Sequence, residues 1–360
     1  MTKIDVQMVE DIAVGAALLG TGGGGDPYVG KLMAIQALQK NGPVELIGVD
    51  DVPDDALVVP AAMMGAPTVL VEKIPSGKEI FKAFDSLQNY LGKEIFAVIP
   101  IEAGGLNSMI PITVAAEKKL PLVDVDGMGR AFPELQMVTF HLYGLSATPM
   151  VLADEKGNSL LLNTINNFWT ESLARNATVV MGGSVMIAIY PMYGRDLKQA
   201  GIRNIITYSA KIGRAIREAR KNGEDPIEAL LKATGGFTLF KGKISDVQRR
   251  TTGGFVQGEA HIDGIDQYKG ENMIIDFQNE NLIARRNGKV VATVPDLICI
   301  VDAHTAAPIT TEGLRYGQRV VVIGIPCDSK WRSEKGIATV GPRYFGYDVD
   351  YVPVEELIKG

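Results

Sequence analysis

The segment EIFAVIPIEAGGLNSMIPITVAAEKKLPLVDVDG, residues 94–127, decides the fold class. EIFAVIPIE (94–102) is an apolar run of strand length. NSMIPITVAAEKKL (107–120) follows with a helical pattern, Pro111 sitting early in it or kinking it. LPLVDVDG (120–127) is a second strand. Strand, helix and strand in that order imply a crossover and therefore parallel pairing. Working outward toward the N-terminus, SGKEIFKAFDSLQNYLG (76–92) is a helix between two glycines, and VELIGV (44–49) and ALVVPAA (56–62) are short strands. Val9 to Leu19 reads as a helix with Asp5 upstream as a cap. Tyr28 to Lys40 reads as another, with Tyr28, Leu32, Ile35 and Leu38 at helical spacing and Gly42 as its stop. Residues 1–165 are therefore predicted to form a three-layer α/β domain with a mostly parallel sheet.

Outward in the other direction, the character changes from about Leu145. MVLADEKGNSLLL (150–162) reads as a hairpin turning at Lys156-Gly157-Asn158. NNFWTESLARNATVVMGG (166–183) starts helical and ends at a glycine pair. Tyr208 to Asn222 and Asp225 to Ala233 read as helices, Pro226 being well placed in a first turn. Beyond Gly235-Gly236 the chain alternates strand candidates with turn residues, including Asn287-Gly288 in a hairpin context. We expect residues 166–360 to form a second domain with a helical start and a β-rich barrel or sandwich, packed on the first with the site between them.

Composition bounds the function. The chain has 360 residues, 46% hydrophobic and 22% charged, which suits about two globular domains. A net charge of −6 and the lack of a basic block argue against a nucleic-acid surface. Two cysteines, Cys299 and Cys327, support neither a disulfide framework nor a four-cysteine zinc site. His141, His261 and His304 are scattered. The N-terminus carries acids ahead of its apolar stretch, unlike a signal peptide, and no run of about 18 apolar residues marks a membrane span. A cytoplasmic location is expected, with no nucleic-acid or membrane partner. The composition calls for no cofactor, metal and ATP being left open.

One stretch asks for more than a turn. LLGTGGGGDPYVGK (18–31) carries four glycines, Gly22 to Gly25, before Asp26-Pro27. Asp26 reads equally well as an N-cap and as a site acid, with Pro27 at the first helical position. One or two glycines suffice for a turn. A longer run lets something approach the main chain, whose N–H groups at the head of a helix can hold an anion or a developing oxyanion. The stretch is neither a Walker A loop nor a dinucleotide fingerprint.

In an open parallel sheet, ligands bind beyond the carboxyl ends of the strands. Three segments are expected there: AAMMGAP (61–67); IEAGGLNS, with Glu102, Asn107 and Ser108; and DVDGMGRAFPE, with Asp124, Asp126, Arg130 and Glu134. Each acid also has a structural reading, as a turn former, a cap or an ion-pair partner. In the second domain FQNENLIA (277–284) interrupts an apolar strand pattern. Alternation sets Glu280 on the face opposite Asn279 and Asn281, so at most one face serves a site, and an edge strand or bulge is slightly favoured. Arg343 in VGPRYFGYD reads as a lid or a hairpin turn. His141 is a partly buried histidine with a general-base option, and His304 a loop residue. Cys299 reads as core, and Cys327 lacks an adjacent base.

LGTGGGGDPY, EAGGLNS, VDVDGMGRAFPEL, FQNENLIA, VPDLI and VGPRYFGYD together resemble the S-methyl thiohydantoin desulfurase family, over nearly the whole chain. The resemblance implies hydrolysis of a small five-membered ring: water attacks the carbon bearing the S-methyl group, methanethiol leaves and a hydantoin remains. It also implies a functional association with hydantoinase- or oxoprolinase-type enzymes, and we expect a homo-oligomer. Our own assignment of roles gives the ring anion to the amides of Gly22, Gly23, Gly24 and Gly25. Water activation falls to a carboxylate among Asp26, Glu102, Asp124 and Asp126, Asp126 being preferred. Arg130 would clamp a substrate carboxylate or carbonyl, Asn107 would read the ring amide, and Glu134 would join the binding set. Two alternatives stay open: an accessory subunit of an ATP-dependent hydantoinase or oxoprolinase system, and a non-catalytic binding protein for a small cyclic amide.

Overall fold

A computed structural model describes residues 2–65, 69 and 76–359. The strands of its first half are β1 (Thr2–Ile4), β2 (Val44–Ile47), β3 (Leu57–Gly65), β4 (Ala97–Ile99), β5 (Leu122–Val123), β6 (Val125–Asp126), β7 (Met150–Ala153) and β8 (Ser159–Leu162). They are followed by β9 (Ser184–Ala188), β10 (Met192–Tyr193) and β11 (Ile202–Arg203). The first sheet runs β1-β2-β5-β4-β3-β9-β7-β8, with β10 also on β3. Its centre, β2-β5-β4-β3, is parallel, as the 94–127 segment requires. The sheet then continues antiparallel through β9, β7 and β8, so it is mixed. β3 is buried along eight consecutive residues, the signature of a strand covered on both faces.

The covering layers are helical. One face packs on α1 (Val6–Leu19), α2 (Pro27–Asn41), α3 (Glu79–Leu91) and α4 (Ile110–Lys118), through residues such as Ile12, Ala34, Phe84 and Ile112. The other packs on α5 (Thr139–Leu142), α6 (Asn167–Val180) and α7 (Gly194–Ala200), through Phe140, Ala174 and Leu197. Pro111 lies in the first turn of α4, where its missing N–H costs nothing.

Residues after 165 contribute to this first body. β9 is a central strand of its sheet. α8 (Ile205–Asn222) lies along α1, with α9 (Pro226–Thr234) beside it. The two long helices touch backbone to backbone. A Cβ at Gly15 would stand 1.9 Å from the Ser209 carbonyl oxygen, and one at Gly213 would stand 1.9 Å from that of Asp11. Buried Asp11 then takes a bidentate pair from Arg217 at 2.7 and 3.0 Å.

The remaining strands are β12 (Phe237–Thr252), β13 (Phe255–Gly264), β14 (Asn272–Gln278), β15 (Glu280–Arg286), β16 (Lys289–Thr293), β17 (Leu297–Asp302) and β18 (Arg319–Ile325). They form one curled antiparallel sheet in the order β16-β15-β14-β13-β12-β18-β17, a half-barrel that makes up the β-rich end expected of this half. Asn287 (φ 50°) and Gly288 (φ 78°) make the expected tight turn between β15 and β16. Among the described residues no helix is long and apolar enough to cross a membrane.

Candidate active site

The glycine loop joins α1 to α2 and is stitched to the second sheet. The Thr21 hydroxyl donates to the Ile298 carbonyl at 2.9 Å, and the Asn281 amide donates to the Thr21 carbonyl at 2.8 Å. The Thr311 amide donates to the Gly22 carbonyl at 2.8 Å, and the Leu106 amide to the Gly24 carbonyl at 2.9 Å. The glycines are needed for close approach. A Cβ at Gly22 would meet the Asn281 amide at 2.9 Å, one at Gly23 would meet Glu280 Oε1 at 1.9 Å, and one at Gly24 would meet Gly104 Cα at 2.5 Å. Gly24 (φ 70°) and Gly25 (φ 78°) are also in the left-handed region. Gly22 and Gly23 are therefore packed under side chains, and the Gly23 amide is spent on the Gly20 carbonyl. Gly24 and Gly25 line a cavity, and among the described residues their amides have no partner.

That cavity, of about 60 Å³, lies beyond the carboxyl ends of β3 and β4. At about 10–15 Å³ per water position it holds a few waters or one small ring. Its lining combines apolar side chains, among them Met63, Met64, Met128 and Phe132, with Gly24, Gly25, Glu102, Asn107, Glu134, Arg175, Asn279 and Glu280.

Glu102 is the central acid. Asn107 Nδ2 donates to its Oε1 at 2.6 Å and the Phe132 amide donates to its Oε2 at 3.3 Å. Burial pushes its pKa up to about 7, against the downward pull of those two hydrogen bonds and of Arg130. Asn107 is itself locked, its Oδ1 accepting from the Met63 amide at 2.8 Å and its Nδ2 donating to the Met63 carbonyl at 3.3 Å. Glu134 accepts from Tyr344 at 2.9 Å and from Gln136, and burial raises its pKa.

The other acids named from sequence are placed elsewhere. Asp26 is exposed and caps α2, accepting from the Tyr28 amide at 2.7 Å. Asp124 caps α8, accepting from the amides of Ile206 at 2.7 Å and Thr207 at 3.2 Å and from the Thr207 hydroxyl at 2.7 Å. Asp126 is fully buried and folds its own turn, accepting from Met128 at 3.2 Å and from Gly129 at 2.9 Å. Burial, with Glu102 and Asp328 nearby, raises its pKa well above the usual carboxylate range. None of the three lines the cavity. Arg130 is also fully buried behind the wall, its guanidinium donating to the carbonyls of Ala131 at 3.0 Å, Pro295 at 2.8 Å and Asp296 at 2.9 Å. It is a clip between the two sheets. Gly22, Gly23 and Arg130 thus support the cavity from behind, while Gly24, Gly25, Glu102, Asn107 and Glu134 face it.

Two further wall residues were not selected from sequence. Arg175 on α6 donates to Glu171 at 2.7 Å and to the Pro133 carbonyl at 2.8 Å, and stacks 4.3 Å above the Phe255 ring. An i,i+4 Glu–Arg pair reads as a solvated helix face, and only its burial marks it out. Glu280 is 3% exposed, and its Oε2 has no hydrogen-bond partner. Strand alternation set Glu280 and Asn279 on opposite faces. The register shift after Asp276 and the left-handed Asn279 (φ 58°) bring both to the cavity. Asn279 is held there by the Val256 amide, which donates to its Oδ1 at 2.9 Å.

His141 is half-buried and bonded to Asn167 at 3.0 Å, and burial lowers its pKa. His304 sits in an Asp302 turn, and the Cys299 thiol is buried against the Leu18 carbonyl. Arg343 pairs with Asp348 and Asp350 at the surface. Of the AAMMGAP segment, Ala66 and Pro67 lie outside the described residues. Among the described residues no cluster of three or more His, Cys, Asp or Glu side chains is arranged to hold a metal ion.

Comparison with known proteins fits this architecture. No curated protein matches the chain. A crystal structure of a protein from Chromobacterium violaceum superposes with a TM-score of 0.79 at 23% identity, covering 98% of this chain and 100% of that one, and so shares the fold. Residues 7–164 match the S-Me-THD-like N-terminal domain and residues 165–354 the S-Me-THD-like C-terminal domain. The site's glycine loop, Glu102 and Asn107 lie in the first matched region and Arg175, Asn279 and Glu280 in the second, and the chain belongs to the S-Me-THD-like family.

Proposed function

We propose that this protein is a hydrolase of a small five-membered cyclic amide or amidine, converting an S-methyl thiohydantoin to the hydantoin with release of methanethiol. The observation that carries the reading is one buried carboxylate, Glu102, in the same small cavity as two unpartnered amides, Gly24 and Gly25. Family membership supports the substrate class.

The chemistry divides between those groups. Glu102 takes a proton from water as the oxygen attacks the ring carbon bearing sulfur. With its pKa near the working pH, it is suited to the task. Charge develops on the ring nitrogen and the adjoining carbonyl oxygen, where free amides stabilise it until the nitrogen is protonated. One such donor is worth about 3–4 kcal/mol. Asn107, fixed by the Met63 peptide, keeps Glu102 oriented. The apolar part of the lining, with Met63, Met64 and Met128, suits the thioether. The test is methanethiol release from S-methylated thiohydantoins by the purified protein without nucleotide. Binding without turnover would select the binding-protein reading instead.

A further inference from the structure

We propose that Glu280, supplied by the second sheet, is the general acid that completes this site. The inference rests on the hydrolytic reading above.

The geometry comes first. Glu280 lines the cavity, is 3% exposed, and leaves Oε2 without a partner. A buried carboxylate with an unused oxygen costs free energy unless it carries a proton or meets a ligand. Its position is imposed from behind by Gly23, where any Cβ would collide with Oε1 at 1.9 Å. The charged groups that act on it come from three elements: Glu102 after β4, Arg130 after β6 and Arg175 on α6. Arg130 donates to carbonyls through Nε and Nη1 and leaves Nη2 without a partner, and Arg175 is engaged with Glu171 and the Pro133 carbonyl. Burial and the Glu102 charge both favour the protonated form, and the two arginines oppose it. Two carboxyls in one small, largely buried cavity hold one negative charge between them more readily than two. Glu102 has two hydrogen-bond donors in place and Glu280 has an idle oxygen, so the charge belongs on Glu102 and the proton on Glu280.

That division balances the reaction. Water oxygen bonds to the ring carbon as its proton passes to Glu102. The C=N electron pair moves to the ring nitrogen, which takes the proton of Glu280. The new hydroxyl then returns a proton to Glu280 as C=O forms. The C–S bond breaks with its electrons on sulfur, and Glu102 protonates the departing methanethiolate. One water is consumed, one thiol leaves, and both carboxyls end as they began.

The experiment is steady-state methanethiol release as a function of pH for wild type, Glu280→Gln and Gly23→Ala, with hydantoin affinity measured by calorimetry. Wild type should give a bell-shaped profile. Glu280→Gln should lose about 10²–10⁴-fold in kcat, lose the alkaline limb, and hold hydantoin within about threefold of wild type. Gly23→Ala should lose kcat with the acid residue still present. Near-wild-type kcat in Glu280→Gln, or an unchanged alkaline limb, overturns the assignment. Should Glu280→Gln not fold, a wild-type profile without an alkaline limb overturns it equally. A wild type that releases no thiol fails the hydrolytic reading itself, a separate outcome.

Discussion

Two acidic turns stand at the same edge of the first sheet, and they meet different fates. In VDVDG, Asp124 and Asp126 are short, and each is surrounded by backbone amides: Ile206 and Thr207 for one, Met128 and Gly129 for the other. In IEAGG, Glu102 is longer, reaches past its own turn, and has a side-chain amide and one peptide N–H as donors. The comparison teaches that an acid at a strand's carboxyl end becomes available for chemistry only when local N–H groups have not already claimed it. Aspartate, well suited to Asx turns and caps, is claimed easily.

The contrast is broken most decisively at Glu102. Glu102→Gln is expected to lower kcat by about 10²–10⁴-fold, measured as thiol release, whereas Asp126→Asn, whose Oδ1 can still accept from Met128 and Gly129, should stay within about threefold of wild type. Equal losses in both would erase the distinction between the turns. Activity should also rise with pH through about 7 as Glu102 ionises. Stability should move the other way. The folded state holds this proton more tightly than the unfolded chain, so stability falls as pH climbs from about 4.5 to about 7. Glu102→Gln should therefore gain melting temperature over wild type at pH 8 and show little gain at pH 4.5, a difference read by thermal scans at the two pH values.

Smaller effects sharpen the other side. Asp124→Ala removes the acceptor of three donors at the head of α8 and should cost about 1–3 kcal/mol in denaturant unfolding, with kcat retained. Asp26→Ala removes an exposed cap and should cost about 1 kcal/mol, again with kcat retained. Loss of turnover in either, with folding intact, would return that aspartate to the site.

The same logic explains what could be read in advance. The parallel centre was legible because a buried strand, a helix and a second strand in sequence leave one way to pair. Asp26-Pro27 was legible as a helix start because capping is local. Glu102 and Asn107 came from a loop beyond a strand end, where topology points, and Gly24 and Gly25 from a glycine run longer than a turn needs. The β7–β8 hairpin was legible from its turn residues, but its place in the first sheet was hidden, since β9 joins it there from beyond residue 165. Glu280 and Arg175 were hidden for a related reason. Their roles depend on burial by partners distant in the chain, Gly23 for Glu280 and Pro133 and Phe255 for Arg175, and strand alternation misled at Glu280 because the left-handed Asn279 breaks the period.

The bonds from Asn281 and Thr311 to the carbonyls of Thr21 and Gly22 bear on how the molecule comes into being. A ribosome extrudes the glycines long before it reaches the residues that fasten them. Contacts this distant along the chain form late and slowly. Catalytic competence should therefore lag behind the appearance of helical signal during refolding, arriving only when the last sheet closes over the earliest loop.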